Sequence, residues 1–136
     1  MEQQVILASI AGSANRVAFV VTVNGAASYV NVVDAAGGTP VQLTPHAGIV
    51  DVLSISDDGN AVVFSADGDP LGNNSDGSFE VFHVRADGSD SRWLTSTAKG
   101  AMISGDGQFV TYESEGQVFV IPASGGAPFL HFPALE

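Results

Sequence analysis

Apolar residues along this chain gather in short runs rich in Val, Ile, Phe and Thr, each bounded by glycine or aspartate. That is the signature of strands and turns. No stretch keeps the spacing of an amphipathic helix over the roughly 11 residues that would identify one. In the middle of the chain the pattern predicts four strands, about Val52–Ser56, Ala61–Ser65, Glu80–Arg85 and Ser91–Thr95. Asp58-Gly59 and Asp106-Gly107 fall between first and second strands, where Asp-Gly supplies the positive φ angles of a tight hairpin. Asp87-Gly88, Gly37-Gly38 and Gly125-Gly126 mark the turns between third and fourth strands. Val17-Ala18-Phe19-Val20-Val21 is apolar at consecutive positions, as suits a sheet covered on both faces. Phe64, Phe82, Phe109, Tyr112 and Phe119 are the expected core between sheets, and Trp93 a packing residue on an outer strand.

The strand pattern repeats. Ser9-Ile10-Ala11-Gly12-Ser13-Ala14-Asn15-Arg16-Val17-Ala18-Phe19 returns as Ser54-Ile55-Ser56-Asp57-Asp58-Gly59-Asn60-Ala61-Val62-Val63-Phe64. It returns again as Met102-Ile103-Ser104-Gly105-Asp106-Gly107-Gln108-Phe109-Val110-Thr111-Tyr112, at offsets of 45 and then 48 residues. A second phrase follows in phase: Val32-Val33-Asp34-Ala35-Ala36-Gly37-Gly38 with Leu43-Thr44, and His83-Val84-Arg85-Ala86-Asp87-Gly88-Ser89 with Leu94-Thr95. The third version is Val120-Ile121-Pro122-Ala123-Ser124-Gly125-Gly126. A period of about 40–50 residues holding four strands marks a β-propeller blade. The expected fold is all-β: one segment over residues 1–136, made of three four-stranded antiparallel meanders. Blade 1 covers about 4–45, blade 2 about 50–96 and blade 3 about 100–132.

The phrase Ser56-Asp57-Asp58-Gly59-Asn60-Ala61-Val62-Val63-Phe64 resembles the repeat of TolB-type β-propellers, with Asp57 at the usual proline position. Glu80-Val81-Phe82-His83-Val84 is similar to the family's third strand, and Asp87-Gly88 through Leu94-Thr95 to its fourth. In the first repeat Gly12-Ser13-Ala14 departs from the Asp-Gly turn. The resemblance implies a fold of six or so blades, a bacterial envelope setting (periplasm or cell surface) and protein partners there. Three blades leave two bare apolar faces, and propellers close with roughly four or more. The expectation is therefore half of a six-bladed ring, completed as a homodimer in which blade 3 of each chain packs on blade 1 of the other.

Composition narrows the function classes. With 15 acidic and 4 basic residues the formal charge is −11, which disfavours nucleic acid and anionic membrane surfaces. Hydrophobic residues at 45% argue against disorder, and the absence of cysteine excludes disulfides. No apolar run approaches the roughly 18 residues of a membrane helix, and Met1-Glu2-Gln3-Gln4 lacks the basic start of a secretory signal. The same composition suits the periplasm or the cytoplasm equally.

The unusual segment is Ala66 to Ser78, between the second and third strands of blade 2. The gap from Phe64 to Val81 is 17 residues, against 11 from Phe19 to Val30 and 6 from Tyr112 to Val118. Long loops are often functional. Asp67, Asp69, Asn73 and Asp76 are the oxygen donors a Ca²⁺ ion wants, although Pro70 and Leu71 interrupt the pattern and no closing glutamate is present. Two outcomes stay open for this loop: plain turns, or a cation site. In a meander this loop emerges at the same end as Thr44–Gly48 and Ser96–Gly100, so His46, Asp67, Asp69, Asn73, Asn74, Asp76 and Lys99 are candidates for a ligand or partner face. No catalytic residue is assigned. There is no nucleophile elbow or His-x-x-x-His spacing, His83 and His131 fall on outer strands, and the first strands offer only Asp51, Ser54, Ser56 and Ser104. Arg85 and Arg92 read as surface ion pairs with Asp87 and Asp90. Three functions compete: a non-catalytic module presenting loops to a protein or glycan, a propeller hydrolase or lyase with a channel cation, and a self-assembling scaffold without ligand.

Overall fold

The computed structural model describes residues 3–25, 27–72, 74, 76–128 and 130–132. They form three four-stranded antiparallel sheets with the strands in chain order. Blade 1 is β1 (Gln3–Ile10), β2 (Arg16–Val23), β3 (Ala27–Asp34) and β4 (Val41–Gln42). Blade 2 is β5 (Val50–Ile55), β6 (Ala61–Ala66), β7 (Glu80–Arg85) and β8 (Arg92–Thr95). Blade 3 is β9 (Lys99–Ile103), β10 (Phe109–Ser114), β11 (Gln117–Pro122) and β12 (Leu130–Phe132). Within each blade the strands are called A to D. Every strand A carries a register shift near its start, between Val5 and Leu7, between Val50 and Val52, and opposite Thr111 and Glu113. Among the described residues no helix is long and apolar enough to cross a membrane.

Blade 2 is packed on both faces because its strands are apolar on both. Val62, Phe64, Phe82 and Val84 join Ala18, Val20, Val30 and Val32 of blade 1 in one core. Val63 and Val81 join Ala101, Ile103, Val110, Tyr112 and Ile121 of blade 3 in a second. Phe64 stacks on Phe82 with centroids 5.3 Å apart, and Tyr112 on Phe119 at 5.2 Å. Each fully buried valine or phenylalanine contributes about 1.5–3 kcal/mol relative to its exposed state.

The A–B turns show what the repeated Ser-x-Asp-Gly does. Ser56 Oγ donates to Asp58 Oδ1 at 2.7 Å and accepts from the Ala61 amide at 3.1 Å, while Asp58 Oδ1 also accepts from the Asn60 amide. Ser104, Asp106, Gln108 and Phe109 repeat the arrangement in blade 3. Only the glycine takes positive φ, 77° at Gly59 and 75° at Gly107, so the aspartate serves as a side-chain acceptor and not as a second left-handed residue. Blade 1 makes the same turn despite its different sequence, with Ala14 at φ 59° in the glycine's place.

Two core expectations are corrected. Phe109 is 42% exposed, because β10 alternates and Val110 and Tyr112 take the inward positions. Trp93, on outer strand β8, is 41% exposed.

Candidate functional site

The B–C loop of blade 2 does meet the D–A connection before it. The Gly68 amide donates to the Ala47 carbonyl at 3.0 Å, and Asp67 Oδ1 accepts from the Ile49 amide at 2.7 Å. Asn74 is the hub of the loop. Its buried Nδ2 donates to the carbonyls of Asp67, Gly68 and Ser78, at 3.3, 2.7 and 2.9 Å. Asp69 Oδ1 accepts from the Asn74 amide, and Asp76 Oδ1 from the amide and hydroxyl of Ser78. Asp67, Asp69 and Asp76 thus each brace a separate piece of backbone. Among the described residues no three His, Cys, Asp or Glu side chains are placed to hold a metal ion. Asn73 lies outside the described residues. His46 is exposed and meets Tyr29 edge-on at 6.1 Å. Lys99 borders a separate hollow of about 210 Å³ with Ser78, Phe79 and Glu113.

Glu80, at the start of β7, is the buried acid beneath this loop. Burial pushes its carboxyl above the usual range, a hydrogen bond from Trp93 pulls it down, and the charges of Asp76 and Asp69 push it up again. Its Oε2 is buried without a hydrogen-bond partner. Sequence reasoning passed over Glu80 as an ordinary strand residue; its signal was an acid directly before an apolar run.

A second opening, wider than the hollow beside Lys99, lies at the opposite end of the blades. A cleft of about 370 Å³ separates the A–B and C–D turns of blade 2 from those of blade 3. Ala61, His83, Arg85, Arg92, Asp106 and Gln108 border it. His83 and Arg85 alternate on β7 and so share the face toward blade 3, and Arg92 stands opposite His83 across the sheet. His83 is buried, and this burial, then the charge of Arg92, lowers its pKa; its Nδ1 has no partner. Arg92 pairs with Asp90 and donates to the Ala123 carbonyl at 3.1 Å. Arg85 forms no ion pair with Asp87, which instead braces Ser89, so the expected pairing holds for Arg92 and fails for Arg85. The side chain of His131 lies outside the described ones.

No protein family and no curated protein matches the sequence. Solved structures do match the fold. The β-propeller domain of the Trilobed protease from Pyrococcus furiosus, described as having an open velcro topology, superposes with a TM-score of 0.73 at 12% identity, over 97% of this chain and 43% of that one. TolB from Acinetobacter baumannii gives 0.66 at 17% identity, over 93% and 31%. Pyrococcus horikoshii acylaminoacyl peptidase gives 0.70 at 12% identity, over 96% and 25%. The chain spans a quarter to under half of the length of these three structures. Its fold is a TolB-like β-propeller segment.

Proposed function

We propose that the chain is a non-catalytic binding module that completes a ring with a second copy of itself and presents its loops to a protein or glycan partner. The observation that carries this is the contrast between the blade faces. The valines and phenylalanines of β6 and β7 are buried on both faces of blade 2, with Val62, Val63 and Val81 at 0% exposure. The outer face of blade 1 bears Ile10, Val17 and Val33 paired across its strands, and Ile10 is 60% exposed. The outer face of blade 3 bears Met102, Thr111 and Val120 in one row, with Val118 44% exposed nearby. Both faces are sheets of the kind that blade 2 buries, which favours another blade as the cover. Each blade holds four consecutive strands, so closure proceeds by face packing and needs no strand exchange. A setting in the bacterial periplasm or at the cell surface rests on the TolB-type resemblance.

Light scattering on the purified chain tests the ring. A mass of twice the 13.9 kDa protomer is expected at micromolar concentration, and a strict monomer there removes the model.

A further inference from the structure

The internal repeat contains a filled copy of the cleft between blades 2 and 3. At the junction of blades 1 and 2, Arg16, the first residue of β2, reaches across to the next A–B turn. Its Nη1 donates to the Gly59 carbonyl at 3.1 Å and to Asn60 Oδ1 at 3.0 Å. Its Nε lies 3.5 Å from Asp34, its cross-strand partner. One blade later, the first residue of β6 is Ala61, and Gly107 and Gln108 stand where Gly59 and Asn60 stood. A methyl group replaces the arginine, and the 370 Å³ cleft opens in its place.

We infer that this cleft is a seat for a guanidinium group, the arginine side chain of a protein or peptide partner, received by the Gly107 carbonyl, Gln108 and the carboxylate of Asp106. A carbonyl, a side-chain amide oxygen and a carboxylate are acceptors only toward such a fork, which matches five donors and no acceptor. Asp58 also borders the cleft, and of the two arginines there Arg92 is already paired with Asp90. Hydrogen bonds from Ser104 and Gln108 hold Asp106 below the usual carboxylate range, so it stays ionised. The seat differs from its copy on the wall facing Ala61: Arg85 stands opposite Ala61 where Asp34 stands opposite Arg16, and the cross-strand pair His83 and Arg92 stands where the copy has Val32 and Val41. Arg85 is exposed, so its charge is screened by solvent and its side chain is free to turn outward. The site lies at the other end of the blades from the B–C loop and does not depend on that loop or on ring closure.

The test is titration of the ¹⁵N-labelled chain with Nα-acetylarginine amide, with Nα-acetylnorleucine amide and acetate as comparison probes. Saturable shifts are expected at Ala61, Gly107 and Gln108 with the arginine probe, and the amide of Gly59 should stay still. Asp106→Asn keeps the turn's acceptor oxygen and removes the charge, so affinity should fall about two- to fivefold. Ala61→Arg supplies the guanidinium from within and should abolish binding, while Arg85→Ala removes a like charge and should tighten it. No shift at millimolar probe overturns the assignment. So does acetate binding at these residues as well as the arginine probe, which makes the cleft an anion site, or weaker arginine binding in Arg85→Ala, which means that Arg85 and not the acceptors holds the probe.

Discussion

Asp57 and Gly105 join the second and third blades at their A–B turns: the Asp57 amide donates to the Gly105 carbonyl at 2.8 Å, and the Asp57 carboxylate fills the space that a Cβ on Gly105 would need. The same aspartate turns its carbonyl to the Ser13 amide at 2.8 Å and lies equally close against Gly12. The three turns therefore form a belt in which one side chain is sandwiched by two glycines. Gly105→Ala should destabilise the chain by about 1–3 kcal/mol through overpacking. Asp57→Ala keeps the backbone bonds and frees the space, so it should be nearly neutral alone and should rescue Gly105→Ala. Urea unfolding of the four proteins of this cycle measures the coupling, and additive effects would show that the carboxylate is not what the glycine accommodates.

Ala14 holds the left-handed conformation that Gly59 and Gly107 adopt in the other two turns. An L-residue costs about 1–2 kcal/mol there, and glycine returns part of that gain as unfolded-state entropy. Ala14→Gly should raise stability by about 0.5–1 kcal/mol, read as a higher urea midpoint at unchanged slope.

Asn74 satisfies three carbonyls from a buried position, so Asn74→Ala strands all three. A loss of about 1–3 kcal/mol is expected. Amide exchange should quicken across 67–78 before it does in β6 or β7. Uniform quickening would mean that the loop is not a separately braced unit.

The pH dependence has two opposing parts. Asp58 and Asp106 have depressed folded values, set first by the Ser56 and Ser104 hydroxyls. Their contribution is therefore present above the unfolded value of about 3.9 and is lost as pH falls through the folded values. Glu80 is raised by burial, so its folded state favours the protonated acid, and that stability is lost as pH rises from the unfolded value through the folded one. Glu80→Gln should be more stable than the parent at pH 7, with the gap closing in the acid range where the parent's Glu80 is itself protonated. Thermal melts from pH 3 to 8 check this; a gap that persists at pH 3 would assign the effect to packing.

Much of the fold was legible because each blade repeats its local chemistry. The third strand of blade 2 falls on Glu80–Arg85 as the pattern predicts, and the turn signals mark the true turns. Phe109 was misplaced because an aromatic in an apolar run looks like core, whereas the period of two puts Val110 and Tyr112 inward. The cleft was illegible residue by residue. It arises from the difference between Arg16 and Ala61 at one repeat position, and from the neighbouring blade that turns this difference into a space.

Ring closure makes a prediction that exposure alone does not. Ile10 on the outer face of blade 1 and Val118 on that of blade 3 are 60% and 44% exposed, and Ile49 on the D–A connection is 64% exposed. If a second copy covers the sheet faces, a buried carboxylate at Ile10 or Val118 would face an apolar blade without a partner, and such a charge is strongly unfavourable. Ile10→Asp and Val118→Asp should each give monomers with the folded circular dichroism of the parent. Ile49→Asp, more exposed but away from either face, should leave the dimer intact. Light scattering on the three variants separates blade-face assembly from general stickiness, because dissociation by Ile49→Asp as readily as by the other two would mean that the faces are not the contact.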